Sequence, residues 1–157
     1  MKTGNNTMKS KWLKIGLISL SILVAGCHTY SVGHTSDLPD EPLTNTYWKL
    51  VTLGDNLVTT AENLREAHMV LHTDNARLAG STGCNSFTGR YQAEGKYLTF
   101  GQVATTKMAC AATQMRNEQK MLSTFKQVAK WRIKGSTLLL EDTNGKPLAE
   151  LEAVHLY

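Results

Sequence analysis

The sequence predicts an α+β domain: a small curled antiparallel β-sheet, barrel-like, with one amphipathic helix packed against it. Two observations predict the sheet. Short aromatic and β-branched runs alternate with turn residues, and successive runs are joined by hairpin-type turns. A third observation predicts the helix, because one late segment has neither Gly nor Pro and places apolar residues at helical spacing.

The first strand opens at about Thr46, with Tyr47, Trp48, Lys49, Leu50, Val51 and Thr52 bounded by Gly54 and Asp55. Residues 68–72 pair with 77–79 across Asp74 and Asn75, and residues 87–92 with 97–100 across Glu94 and Gly95. Residues 131–134 turn at Gly135 and Ser136 into 137–141. Asn144 with Gly145, a strong hairpin signal, leads to 148–154. In that last run Ala149, Leu151 and Ala153 alternate with Glu150 and Glu152, which gives one face to a core and the other to water. The helix is expected over residues 113–129, with Met115, Leu122, Phe125 and Ala129 forming its stripe and Arg116, Gln119, Lys120 and Lys126 on other faces. Met108 and Met121 are expected to fill core gaps rather than hold a metal or cofactor. Whether the sheet closes is not legible at this level.

Residues 1–26 read as an export signal. Lys2, Lys9, Lys11 and Lys14 precede an apolar stretch from Ile15 to Ala25 that is too short to cross a membrane, and a second complete signal begins at Met8. Val24, Ala25, Gly26 and Cys27 resemble a lipobox, so Cys27 is the expected lipid attachment site and a membrane the expected partner through that anchor. His28 stands where inner-membrane lipoproteins usually carry Asp, which favours the outer membrane, periplasmic side. Residues 27–44, rich in Ser, Thr, Gly, Asp and Pro, read as a flexible linker, leaving 45–157 as the domain.

The seventeen Lys and Arg exceed the thirteen Asp and Glu by four, and the four signal lysines account for the excess. The mature chain is therefore balanced, with no basic run to follow a phosphate backbone, and nucleic acid is disfavoured as a partner.

Two stretches carry more than pattern. One is Gly80, Ser81, Thr82, Gly83, Cys84, Asn85, Ser86, Phe87, Thr88, Gly89, Arg90 and Tyr91; the other is Thr105, Thr106, Lys107, Met108, Ala109 and Cys110. With Tyr47, Trp48 and the closing strands, they resemble the META domain of HslJ-like bacterial envelope proteins over about residues 46–154. The resemblance implies a small β-rich, barrel-like fold with one helix. It also implies an association with heat or envelope stress and antibiotic tolerance, no catalytic residue and no cofactor. Gly83, Cys84, Asn85, Thr106, Met108 and Cys110 are the family-motif positions, read as structural.

Read from the residues themselves, Gly80, Gly83 and Gly89 serve turns or close backbone approach, and Asn85 bonds local backbone. The glycine-rich stretch lacks the Lys and Ser or Thr of a nucleotide loop. In an oxidising envelope Cys84 and Cys110 are expected to form a structural disulfide, the alternatives being two reduced buried thiols or a redox pair. His68 and His72 have the spacing of a zinc pair, but no Glu follows the first and no third ligand is evident, so no metal site is assigned. The leading expectation is a non-enzymatic, lipid-anchored binding domain with an envelope protein as a possible partner. The alternatives are a carrier of small apolar ligands or a thiol- or zinc-dependent enzyme using Cys84 with Cys110 or His68 with His72.

Overall fold

A computed structural model describes residues 39–155 of the chain apart from positions 61 and 63. Cys27 and the export signal lie outside the described residues. The elements are, in order, β1 (Tyr47–Leu53), β2 (Asn56–Leu57), β3 (Ala67–His72), β4 (Arg77–Thr82), β5 (Ser86–Glu94), β6 (Tyr97–Phe100), β7 (Ala104–Thr105), α1 (Ala112–Phe125), β8 (Lys130–Lys134), β9 (Thr137–Glu141) and β10 (Pro147–Val154). The expected strands are all present, several longer by one to three residues, and the two-residue strands β2 and β7 are additional.

The strands make one antiparallel sheet that closes on itself. Pairing runs β1, β3, β4, β5, β6, β8, β9, β10 and back to β1, while β2 and β7 flank β1 and β5. Closure removes the open sheet edges that an antiparallel sheet of this length would otherwise present. The two joins differ in extent: β1 pairs β10 from Tyr47↔Val154 to Leu53↔Ala149, whereas β6 meets β8 at Tyr97↔Lys130.

Alternation along the strands fills the barrel. Trp48, Met69, Leu71, Leu78, Leu98, Leu138, Leu140 and Leu151 are fully buried along its inside. The expected period in β10 holds, with Ala149 and Leu151 buried and Glu152 exposed.

Because neighbouring strands run oppositely, the ends of β1, β4 and β6 share one rim with the starts of β5 and β10. Helix α1 lies on this rim: Phe125 packs against Phe87 at 5.3 Å and Phe100 at 4.8 Å between ring centroids. The helix ends at Phe125 rather than at the expected residue 129, since residues 126–129 turn directly into β8, where the Ala129 carbonyl accepts from Leu98 N–H at 3.1 Å. Its buried face also differs. Met121, Thr124 and Phe125 are buried, while Met115 and Leu122 are only partly covered.

The other rim is closed by chain preceding β1. Trp48 Nε1 donates to the Leu43 carbonyl at 2.9 Å, Thr46 Oγ1 donates to the Pro42 carbonyl, and Asn45 N–H donates to the Leu71 carbonyl at 2.8 Å. Further out, Glu41 N–H reaches the Gly135 carbonyl at 3.0 Å and Gly135 N–H reaches Asp40 Oδ1 at 2.7 Å. Residues 40–44, which the sequence assigned to the linker, therefore belong with the barrel. Their polar composition reflects backbone and side-chain bonding to the rim, not freedom.

Candidate functional site

The motif residues converge between the β4–β5 turn, the β7–α1 loop and the inward face of α1. The turn is tight, with Thr82 N–H donating to the Asn85 carbonyl at 2.8 Å across Gly83 and Cys84. Gly83 has φ +90°, a conformation that a Cβ would strain. Gly80, in β4, meets a different demand: a Cβ there would collide with the His68 carbonyl and the Phe87 ring.

Asn85, 1% exposed, is the hub. Its Oδ1 accepts from Thr106 Oγ1 at 2.8 Å and from Met108 N–H at 2.7 Å. Its Nδ2 donates to Glu118 Oε2 at 2.9 Å. Thr82 Oγ1 donates to the same carboxylate oxygen at 2.8 Å and accepts from Asn85 N–H at 3.0 Å. Thr82, Asn85, Thr106 and Glu118 satisfy one another here, the condition under which buried polar atoms stabilise rather than cost. Gln114 Oε1, on the helix beside Thr82 and Gly83, is buried without a partner among the described residues. Removing one member would leave several groups unsatisfied, each costing about 1 to 3 kcal/mol.

Beside the hub, Cys84 and Cys110 form the expected disulfide, with Cα atoms 6.1 Å apart. Closing a loop of this sequence separation, 26 residues, restricts the unfolded chain by about 3.5 kcal/mol in the chain-entropy account. The bond and the Asn85 hub thus hold the same loop to the barrel from two sides.

Met108 departs from expectation. Its side chain is 56% exposed and fills no core gap, because Asn85 Oδ1 holds its backbone N–H and the thioether faces outward; Met121 is buried as expected. Glu118 and Thr82 were not singled out from the sequence. Glu118 lies three residues before Met121 and seven before Phe125, so helical spacing alone puts it on the buried face. Its charge argued against that position until Thr82 and Asn85 supplied the donors.

His68 and His72 share the outer face of β3, two positions apart on each step of the strand, and do not converge on a ligand. The His68 ring stacks on Tyr47 at 4.2 Å between centroids, with its Nδ1 3.1 Å from the Glu66 carbonyl. The same outer face carries the Lys49–Glu66 ion pair at 2.9 Å. Tyr47 Oη donates to Glu66 Oε1 at 3.3 Å, and desolvation, reinforced by the Glu66 charge, pushes the phenol up to about 12. Among the described residues no three His, Cys, Asp or Glu side chains are grouped to hold a metal ion.

Two solved structures share the fold. An NMR structure of a protein from Burkholderia xenovorans superposes with TM-score 0.61 at 22% identity, covering 73% of this chain and 85% of that one. A second NMR structure gives TM-score 0.56 at 22% identity over 70% of this chain and 90% of that one. A crystal structure of a DUF4847 family protein from Bacteroides vulgatus ATCC 8482 is matched at TM-score 0.49 and 13% identity, over 70% of this chain and 93% of that one. No curated protein matches the chain. The family model of the META domain matches residues 41–155, which takes in the β4–β5 turn, the disulfide, Glu118 and all ten strands, and the chain therefore belongs to the META domain family.

Proposed function

We propose that this chain is a lipid-anchored envelope protein whose META domain works by binding rather than catalysis, in a role in tolerance of heat or antibiotic stress. The observation that carries the binding reading is the fate of the motif chemistry. The Asn85 amide is fully engaged and buried, Thr106 and Glu118 are tied to it, and Cys84 is bonded to Cys110. The groups that would serve as nucleophile, acid or redox centre are already holding the fold. A carrier of small apolar ligands would need interior space, and the barrel axis is occupied by Trp48, Met69 and a series of leucines.

The membrane arm of the proposal rests on the lipobox at Cys27. Intact-mass analysis of the protein purified from membranes is expected to show two or three acyl chains on Cys27, and an unacylated mass would overturn it. The binding arm is tested by deleting the gene and restoring it with a cross-linkable chain. Lowered survival under heat or antibiotic challenge, with a specific envelope protein captured, is the expected result. Unchanged survival and no captured partner would overturn it.

A further inference from the structure

Helix α1 has a second polar stripe. Lys120, Ser123 and Thr124 lie at spacings of three and four on a flank adjoining the one that buries Met121 and Phe125, and Gln127 follows in the turn after the helix. This stripe walls a surface groove of about 240 Å³. The end of β1 contributes Leu53, β2 contributes Asn56, and the β9–β10 turn contributes Lys146. The walls are fixed by the barrel: Gly54 N–H donates to the Leu148 carbonyl at 2.8 Å, and Asp142 Oδ1 accepts from the Lys146 backbone N–H at 2.9 Å.

Two cations line this groove, and no acidic side chain does. Some surface cations are matched, as in Lys49 with Glu66 and Arg132 with Glu141, and others such as Lys107, Lys126 and Lys134 stand singly among the described residues. This groove brings two unmatched lysines to one concave surface. The ammonium groups of Lys120 and Lys146 have no ion-pair or hydrogen-bond partner among the described residues. Two like charges lining one groove raise the local positive potential, and a bound anion relieves it. Around them Ser123, Asn56 and Gln127 supply uncharged donors. Compact ammonium charges with neutral donors suit phosphate oxygens, while Pro147 and the partly buried Leu148 offer a surface for an organic group.

The geometry points to this groove as a binding site for a phosphate-bearing ligand, its phosphate met by Lys120 and Lys146 and its organic part by Pro147 and Leu148. The inference rests on the binding role proposed above and gives it a ligand class; it does not rest on acylation of Cys27.

The test uses the full chain, isotope-labelled, purified from membranes in an uncharged detergent, and titrated with inorganic phosphate, glycerol 3-phosphate and dihexanoylphosphatidylglycerol. Backbone amide resonances of Gly54, Asn56 and Lys146 are expected to shift saturably with at least one organic phosphate, and more tightly than with inorganic phosphate. Lys120→Ala with Lys146→Ala should weaken binding by about tenfold or more, and Lys120→Arg with Lys146→Arg should retain it. Both lysines are exposed, so the variants should fold, as an unchanged Tm would verify. Tighter binding of the phosphatidylglycerol assigns a lipid headgroup, and tighter binding of glycerol 3-phosphate assigns a soluble phosphate ester. No saturable shift with any of the three, or equal shifts in the alanine variant, overturns the site. In that event a stress phenotype and a captured partner would still uphold the broader binding role, so the two failures are distinguishable.

Discussion

The two polar flanks of α1 are made of similar residues and serve opposite ends. On one flank Glu118 accepts from both Thr82 and Asn85, beside the Cys84–Cys110 bond. On the other, Lys120 and Lys146 line one groove, with no ion-pair partner for either among the described residues. Polar residues whose bonds are completed within the chain hold the fold. Those left incomplete on a rigid surface are the ones free to meet a ligand.

Substitutions can break this contrast. The largest effect is expected from Asn85→Ala, which strands Thr106 Oγ1, the Met108 N–H and part of the Glu118 carboxylate at once. A loss of about 3 to 5 kcal/mol should appear as a lower denaturation midpoint with little change in slope. Replacing Cys84 and Cys110 together by Ser should cost about 3 to 4 kcal/mol, measured the same way, and reductant should reproduce it on the unsubstituted chain. Gly83→Ala, forced to hold positive φ, should cost about 1 to 2 kcal/mol and leave both the hub and the groove in place.

Two smaller effects sharpen the comparison from outside the Asn85 corner. The folded chain holds the Tyr47 proton more tightly than the unfolded chain does. That contribution to stability is complete below pH 10 and is lost as pH rises toward about 12. Denaturation followed across this interval should show the decline, and Tyr47→Phe should flatten it; solvent screening at this partly exposed position keeps the effect small. Smallest of all, Lys120→Ala with Lys146→Ala should change stability by less than about 0.5 kcal/mol. A large loss would mean that the groove lysines support the fold after all.

The sheet was readable because its cues are local. Asn144–Gly145 and Gly135–Ser136 mark hairpins by their own chemistry, and alternation in β10 needs only its own residues. Closure was not readable, since the pairing of Tyr47 with Val154 joins the two ends of the domain and no local pattern encodes it. The helix was found with part of its buried face: Met121 and Phe125 are buried and Leu122 packs against the core, while Thr124 was missed. Glu118 was not singled out, and only the long-range arrival of the β4–β5 turn makes an inward carboxylate acceptable. The Cys84–Cys110 pairing followed from compartment and number. The role of Asn85 as hub of the network did not, because three of its partners, Thr106, Met108 and Glu118, are more than twenty residues away.

The bonds from Asp40 to Thr46 also set a mechanical order. Tension transmitted through residue 39 enters at the rim opposite α1, where a few single hydrogen bonds hold the chain to Leu71, Gly135 and the Trp48 indole. These come away one at a time, whereas β1 beyond them is clamped between β10 and β3 and must yield a whole ladder. A pull on the domain would therefore peel residues 40–46 and uncover Trp48 before it strained the barrel, and the corner built on Asn85 would be the last part to feel it.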